Sequence, residues 1–427
     1  MKQTTRFQRF LLGNGENQSR KNVIWNMIGS IGFALATMVL TSLAGRMTGE
    51  EGGAVFTAAY TLAQQLLTIG YFEVRTFQVT DLQREYEFED YFTYRLITCG
   101  VMLVTGLGYA ALSGGGAVRV SVVLLMVLYK MLDGIADVFE GEFQKDIRLD
   151  LSGKSMAVRV ACSIAAFTAV GAVSGNIVLA SVAAVAASTL AVVCMDFGMI
   201  GAFTTCRVVF HRDKLFGIFR DCVLLFVGSF FSLYILNSSR FAAERFLTAG
   251  DYYAYSAALF MPANIINLFC GFLFRPALVT LMERYQNKEY AAFEKMVRLL
   301  FLAILGVTVL TMAGGVLLGI PVLELLYPTD LTGRRPELML IIIGSGFNAV
   351  ALILYYILTV MRMQRGLCFG YFLSAVLTVW VPWVLIRNGG IFGAAASFCV
   401  LMMVQGIVLG GIAWIGYRRE KKTQGEE

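Results

Sequence analysis

Lys130, Asp133, Asp137 and Glu140 stand three or four residues apart inside an otherwise apolar run, and Gln144 continues the series. At 100° per residue that spacing places all five on one face of a helix. Two kinds of chemistry suit such a face. Lys130 and Asp133 can neutralise each other as a structural ion pair, or the lysine can line a wet cavity and meet an anionic cargo. Lys130 lies thirteen residues after Ala117, or about 20 Å along a helix at 1.5 Å per residue. That depth favours the cavity reading. Glu140 and Gln144 fall where the run ends, at an expected water interface.

Other apolar runs carry polar faces of their own. Asn22, Asn26 and Gly29 share one; Thr57, Tyr60, Thr61, Gln64, Thr68, Tyr71 and Arg75 share another. Further along come Asn237, Ser238, Ser239 and Arg240, then Asn264, Asn267, Gly271 and Arg275, then Asn348, Tyr355, Thr359 and Arg362. Amide and hydroxyl contacts between membrane helices, worth about 0.6–2 kcal/mol each, explain any one of these faces as packing. Snorkelling to headgroups explains Arg75, Arg275 and Arg362 one at a time. Together the faces predict the walls of a cavity. Asp196 reads as structural, Arg240 and Glu244 have the i,i+4 spacing of a surface ion pair, and His211 reads as a solvated loop residue.

The elements that position these residues are membrane spans. A hydrophobic fraction of 57% and a mean hydropathy of +0.69 exclude an ordinary soluble domain. A span needs about 20 apolar residues, and runs that long are helices because lipid offers the backbone no partner. Spans are predicted at 23–45, 53–75, 92–114, 117–141, 156–175, 177–203, 216–238, 253–279, 297–319, 337–361, 366–386 and 391–416. The fold class is therefore an all-α integral membrane protein of about twelve transmembrane helices. With the N-terminus inside, predicted inner segments hold 27 Lys and Arg and outer ones 7, which puts both termini in the cytosol. The net charge of +6 is then a topology signal and gives no reason to expect nucleic acid. The first twenty residues are polar and basic, so no cleavable signal peptide is expected. Eight cysteines without CxxC spacing suggest packing rather than disulfides or zinc. Neither a P-loop nor a metal constellation is seen, so no metal, cofactor or enzymatic activity is expected.

Sliding the chain by 199 residues matches Gly29-Ser30 to Gly228-Ser229, Arg46 to Arg245 and Ala58-Ala59 to Ala257-Ala258. The offset carries span 1 onto span 7 and keeps its orientation. Two pseudo-symmetric six-helix lobes follow, 1–213 and 214–427, around a central cleft. Mixed amides, tyrosines and cations in that cleft would suit a sugar with an anionic handle.

The order of landmarks resembles a known family. Asn22–Trp25–Asn26–Gly29 opens span 1, and Gly70 to Asp81 (GYFEVRTFQVTD) follows span 2. Tyr129-Lys130-Met131-Leu132-Asp133 leads through Asp137-Val138-Phe139-Glu140-Gly141 and Gln144 to Arg148-Leu149-Asp150, Gly153-Lys154-Ser155 and Arg159, and Phe274-Arg275-Pro276 follows span 8. Over its full length the chain resembles the Wzx-type O-antigen flippases. These form the polysaccharide-exporter branch of the multidrug/oligosaccharidyl-lipid/polysaccharide (MOP) exporter superfamily. The resemblance implies alternating access in a bacterial cytoplasmic membrane. It also implies a lipid (undecaprenyl) diphosphate-linked oligosaccharide as cargo, for surface polysaccharide biosynthesis alongside a polymerase and glycosyltransferases. Candidate headgroup-binding residues are Asn26, Gln64, Tyr71, Arg75, Lys130, Asn264, Asn267, Arg275, Asn348, Tyr355 and Arg362. Coupling to H+ or Na+ would fall to Asp133 and Asp137. The competing reading is a cation-coupled multidrug antiporter of the same superfamily.

Overall fold

Main-chain amides in hydrocarbon must bond along their own helix, and this chain does so almost throughout. The computed structural model describes residues 11–12, 17–81, 85–114 and 116–425, without the side chains of Phe272, Leu273, Arg275, Pro276, Val279 and those from Glu420 on. No strand occurs among the described residues. Nine stretches there are long and apolar enough to cross a membrane. Two of the nine hold a pair of helices each, divided at Gly49 and Gly390, whose φ angles of 74° and 56° suit glycine. Ala117–Lys145 is a further long helix that is too charged to count among the nine.

Twelve long helices result, at the predicted places. They are α1 (18–48), α2 (50–71), α3 (Phe88–Leu112), α4 (Ala117–Lys145), α5 (Leu149–Ser174) and α6 (Ile177–Ile200), then α7 (Arg212–Phe246), α8 (249–286), α9 (Tyr290–Leu326), α10 (Arg335–Val360), α11 (364–389) and α12 (391–425). A short helix, Val74–Thr80, follows α2. Contacts divide the chain into two units, Met1–Ser229 and Phe230–Glu427, with the boundary inside α7. The fold is thus all-α with two lobes. The 199-residue offset carries Gly49 to position 248, where Thr248 accepts from the Asp251 amide and starts α8. Both lobes break between their first two spans at the same register.

In the first unit α1 and α5 meet backbone to backbone. A Cβ added to Gly29 would stand 2.6 Å from the Gly153 carbonyl oxygen. Asn22 fixes the same crossing: its amide donates to the Ile147 carbonyl (2.8 Å), and its oxygen accepts from the Asp150 amide (3.1 Å). The Asn22–Gly29 face is therefore a helix contact, the packing alternative that the sequence leaves open. Phe56, Tyr60, Tyr129 and Phe167 fill the apolar centre of this unit. In the second unit the Tyr255 hydroxyl donates to the Ala394 carbonyl (3.2 Å), and Phe260 meets Phe398 edge-on.

Three π-helical segments interrupt the spans: Val193–Phe197 in α6, Ala254–Leu259 in α8 and Gly315–Gly319 in α9. Such bulges expose main-chain groups to side-chain partners and recur at functional positions. Two of the three hold a partner of a buried arginine.

Candidate functional site

The polar face of α4 is the spine of a buried charge network in the first unit. Lys130 pairs with Asp133 (3.0 Å), and Asp133 also accepts from Arg159 of α5 (3.0 Å). Arg159 continues to Glu140 (3.0 Å), and Glu140 accepts from Arg75 on the short helix (3.0 Å). Arg75 reaches Asp137 (3.0 Å), which Arg95 of α3 grips from the other side (2.7 Å). Asp196, in the π segment of α6, lies 3.8 Å from Arg159 and accepts from the Ser155 hydroxyl (2.7 Å). Arg75, Arg95, Lys130 and Arg159 thus meet Asp133, Asp137, Glu140 and Asp196. Signs alternate along the chain of contacts, and cations and carboxylates balance.

Balance is what makes this arrangement tolerable. An ion moved from water into a protein interior costs several kcal/mol even after relaxation, and Arg95, Lys130 and Arg159 are no more than 2% exposed. Close, alternating partners offset that cost. Aromatic faces add to it around Lys130, whose ammonium lies 4.6 Å from the Tyr60 ring centre and 5.0 Å from that of Phe33. Arg95 also donates to the Gly70 carbonyl (2.6 Å), tying the end of α2 to α3.

One part of the network opens outward. Arg75 keeps 27% of its side chain exposed. It borders a cavity of about 430 Å³ together with Tyr71, Glu73, Thr76, Thr80, Asp137 and Gln144. Gln144 accepts from two guanidinium nitrogens of Arg75 (3.0 and 3.3 Å). The site here offers a cation, hydroxyls, an amide and two carboxylates. Beside it, Asp81 closes the loop by accepting from the amides of Glu85 (2.9 Å) and Tyr86 (3.1 Å). Partial burial works against the charge, but these amides hold the Asp81 carboxyl below the usual carboxylate range. Burial and a hydrogen bond to Asp221 push the Tyr86 hydroxyl up to about 12.

The second unit buries a cation differently. Arg240 on α7 is 7% exposed and turns toward the π segment of α8. It donates to the Ser256 hydroxyl (2.8 Å), the Ser256 carbonyl (3.0 Å) and the Asn237 side chain (3.3 Å), under the Phe260 ring. No carboxylate among the described residues pairs with it, so the expected Arg240–Glu244 surface pair is replaced by a buried, hydroxyl-held arginine. Further along, Asn348 donates to Asn267.

Of the residues the sequence proposes, Tyr71, Arg75, Lys130, Asp133 and Asp137 come together in the first unit, while Asn267 and Asn348 meet in the second. Asn26, Gln64, Asn264 and Tyr355 are half-buried. Arg362 is exposed at the end of α10, where φ is +56°. The side chain of Arg275 lies outside the described residues. His211, expected in solvent, holds Asp90 through Nδ1 (2.8 Å) while remaining largely exposed. Sequence reasoning misses Arg95 and Arg159 by counting them as cytosolic topology charges. Their depth is the overlooked signal, because both lie well past the first turn of their helices.

No protein-family profile matches the sequence, and neither does any curated protein. Solved structures do share the fold across nearly the whole chain. One is an inward-facing multidrug resistance MATE family transporter of the MOP superfamily, 13% identical with a TM-score of 0.67 over 96% of this chain and 99% of that one. A second is the Vibrio cholerae MATE transporter VcmN in a mutant form, 11% identical with a TM-score of 0.63 over 98% and 99%. A third is a MOP superfamily transporter from Pyrococcus furiosus, 12% identical with a TM-score of 0.56 over 98% of each chain. For that protein a reversed polarity of the binding pocket has been taken to suggest a different function. The class defined here is the two-lobed, all-α fold that these MATE transporters share. At these identities the likeness is one of fold.

Proposed function

We propose that this protein is an alternating-access transporter of the bacterial cytoplasmic membrane, with both termini cytosolic. Its cargo in this reading is a lipid diphosphate-linked oligosaccharide, flipped to the outer leaflet for surface polysaccharide biosynthesis. The supporting observation is the cavity at Arg75. It sets a partly exposed guanidinium beside Tyr71, Thr76, Thr80 and Gln144, with the Glu73 and Asp137 carboxylates also in its lining; the cation, hydroxyls and amide suit a diphosphate and its first sugar. An unpaired charge carried through bare lipid costs tens of kcal/mol by Born estimates, so a wet polar groove is the chemistry such cargo needs. Arg75 is the first cation the cargo meets in this unit. Lys130, sealed between Asp133 and three aromatic rings, stands behind it as the partner of Asp133.

A second reading has its own support. Asp137 borders the same cavity and bridges Arg75 and Arg95. A proton or Na+ arriving there would loosen both pairs, the coupling that a cation-driven multidrug antiporter requires. Pocket polarity is a property of side chains rather than of a fold, so the shared fold leaves both cargoes open.

Flipping of lipid-diphosphate-linked oligosaccharide in liposomes containing only this protein decides between them. Protein-dependent transfer that falls at least tenfold in Arg75→Gln, with folding intact, supports the flippase. Absence of transfer together with drug efflux driven by a proton or sodium gradient, lost in Asp137→Asn, replaces it with the antiporter.

A further inference from the structure

A basic pocket lies in the second unit. It sits where α8 and α9 turn back on each other through Asn287, Lys288 and Glu289. Arg284 and Thr280 come from α8, one turn apart, and Lys295, Arg298, Leu299 and Leu302 from one face of α9. Together with Ala291, Ala292 and Met296 they line an open pocket of about 960 Å³.

Three features constrain the occupant. First, among the described residues the pocket is lined by three cations and by no carboxylate. Glu294, on the same turn of α9, instead accepts from the Tyr417 hydroxyl of α12 (2.9 Å). Second, the guanidinium groups are positioned from the backbone. Arg284 donates to the Ala292 carbonyl (3.1 Å) and Arg298 to the Glu294 carbonyl (3.4 Å). A guanidinium has five N–H donors, so each retains most of them for a ligand. Third, Leu299 and Leu302 are each 64% exposed and continue the lining along α9 toward the apolar part of the span. An anion-binding end thus runs into an apolar wall that lipid would cover. A free phosphate would use only the first part of this surface. An anionic phospholipid uses all of it, with its phosphate among Arg284, Lys295 and Arg298 and an acyl chain along Leu299 and Leu302.

We propose that this pocket is a binding site for the phosphate headgroup of an anionic membrane lipid, separate from any cargo path at Arg75. Basic pockets between helices at a membrane surface hold such headgroups by charge and by hydrogen bonds. The proposal requires only that the helices span a membrane, and it stands or falls independently of the cargo.

Native mass spectrometry of the delipidated full-length protein, titrated with short-chain phosphatidylglycerol or phosphatidylcholine, tests it. Phosphatidylglycerol is expected to bind preferentially, and Arg298→Gln alone to weaken it about fivefold, the effect of one basic residue near an anionic lipid. The triple variant Arg284→Gln, Lys295→Gln, Arg298→Gln should abolish the preference, while Arg418→Gln, outside the pocket, should retain it. Equal binding of the two lipids overturns the proposal, as does unchanged phosphatidylglycerol binding in the folded Arg298→Gln protein. Inorganic phosphate that binds as tightly as phosphatidylglycerol would also overturn it, by showing a free-anion site.

Discussion

Arg159 of the first unit and Arg240 of the second are both sealed from solvent, and both reach a π-helical segment, yet they are held by different chemistry. Arg159 touches Asp133, Glu140 and Asp196, and those acids lead on to further cations. Among the described residues Arg240 is held by the neutral partners Ser256 and Asn237 and by the Phe260 ring. The 199-residue offset pairs Arg240 with Thr41 and Ser256 with Thr57, so the two lobes have filled corresponding positions differently. A matched network locks several helices together through mutual dependence. A buried cation with neutral partners leaves a positive field in its lobe. Pseudo-symmetry of fold therefore coexists here with asymmetry of charge.

Removing one member from each region should separate the two designs. Arg159→Met takes one cation from Asp133 and Glu140, which keep Lys130 and Arg75, and leaves Asp196 with no cation among the described residues; it should cost about 3–5 kcal/mol, the usual penalty for leaving a buried ion uncompensated. Thermal unfolding in detergent should show the largest loss in this variant. Arg240→Met strands only neutral acceptors and should cost about 1–3 kcal/mol. If the two variants melt alike, the contrast between matched and unmatched arginine is wrong.

A smaller effect is expected at the open end of the network. Arg75 is partly solvated, so a double-mutant cycle between Arg75→Gln and Asp137→Asn should give a coupling of about 1 kcal/mol. A coupling as large as the Arg159 penalty would mean that the cavity end is as closed as the rest.

The smallest effect concerns Asp81. Its folded pKa lies below the unfolded one, so its contribution is present above the ordinary carboxylate range near ~3.9. That contribution is lost as pH falls through the lowered value. Asp81→Asn should therefore reduce stability slightly at neutral pH and abolish that part of the acid dependence. Identical acid profiles for the wild type and the variant would remove Asp81 as the loop's anchor.

The breaks at Gly49 and Thr248 were not singled out in the sequence, whereas the twelve helices and the polar face of α4 were legible there. Each is local: hydrophobic length sets a span, and periodicity of about 3.6 residues sets a face. The sequence also paired Lys130 with Asp133 as one alternative, because three residues place them within reach on the same helix. The partners from other helices were not legible. Arg95, Arg159 and Asp196 look like end-of-span charges until α3, α5 and α6 pack around α4 and fix how deep each one sits. Arg240 was misjudged for the same reason, since its i,i+4 neighbour Glu244 was the only local candidate, whereas Ser256 lies across a turn on α8. Sequence alone determined which residues share a helix and a face. Only the tertiary structure decided which charges meet, because an ion pair between helices depends on the rotation and depth of both, and neither is encoded in the spacing along one of them.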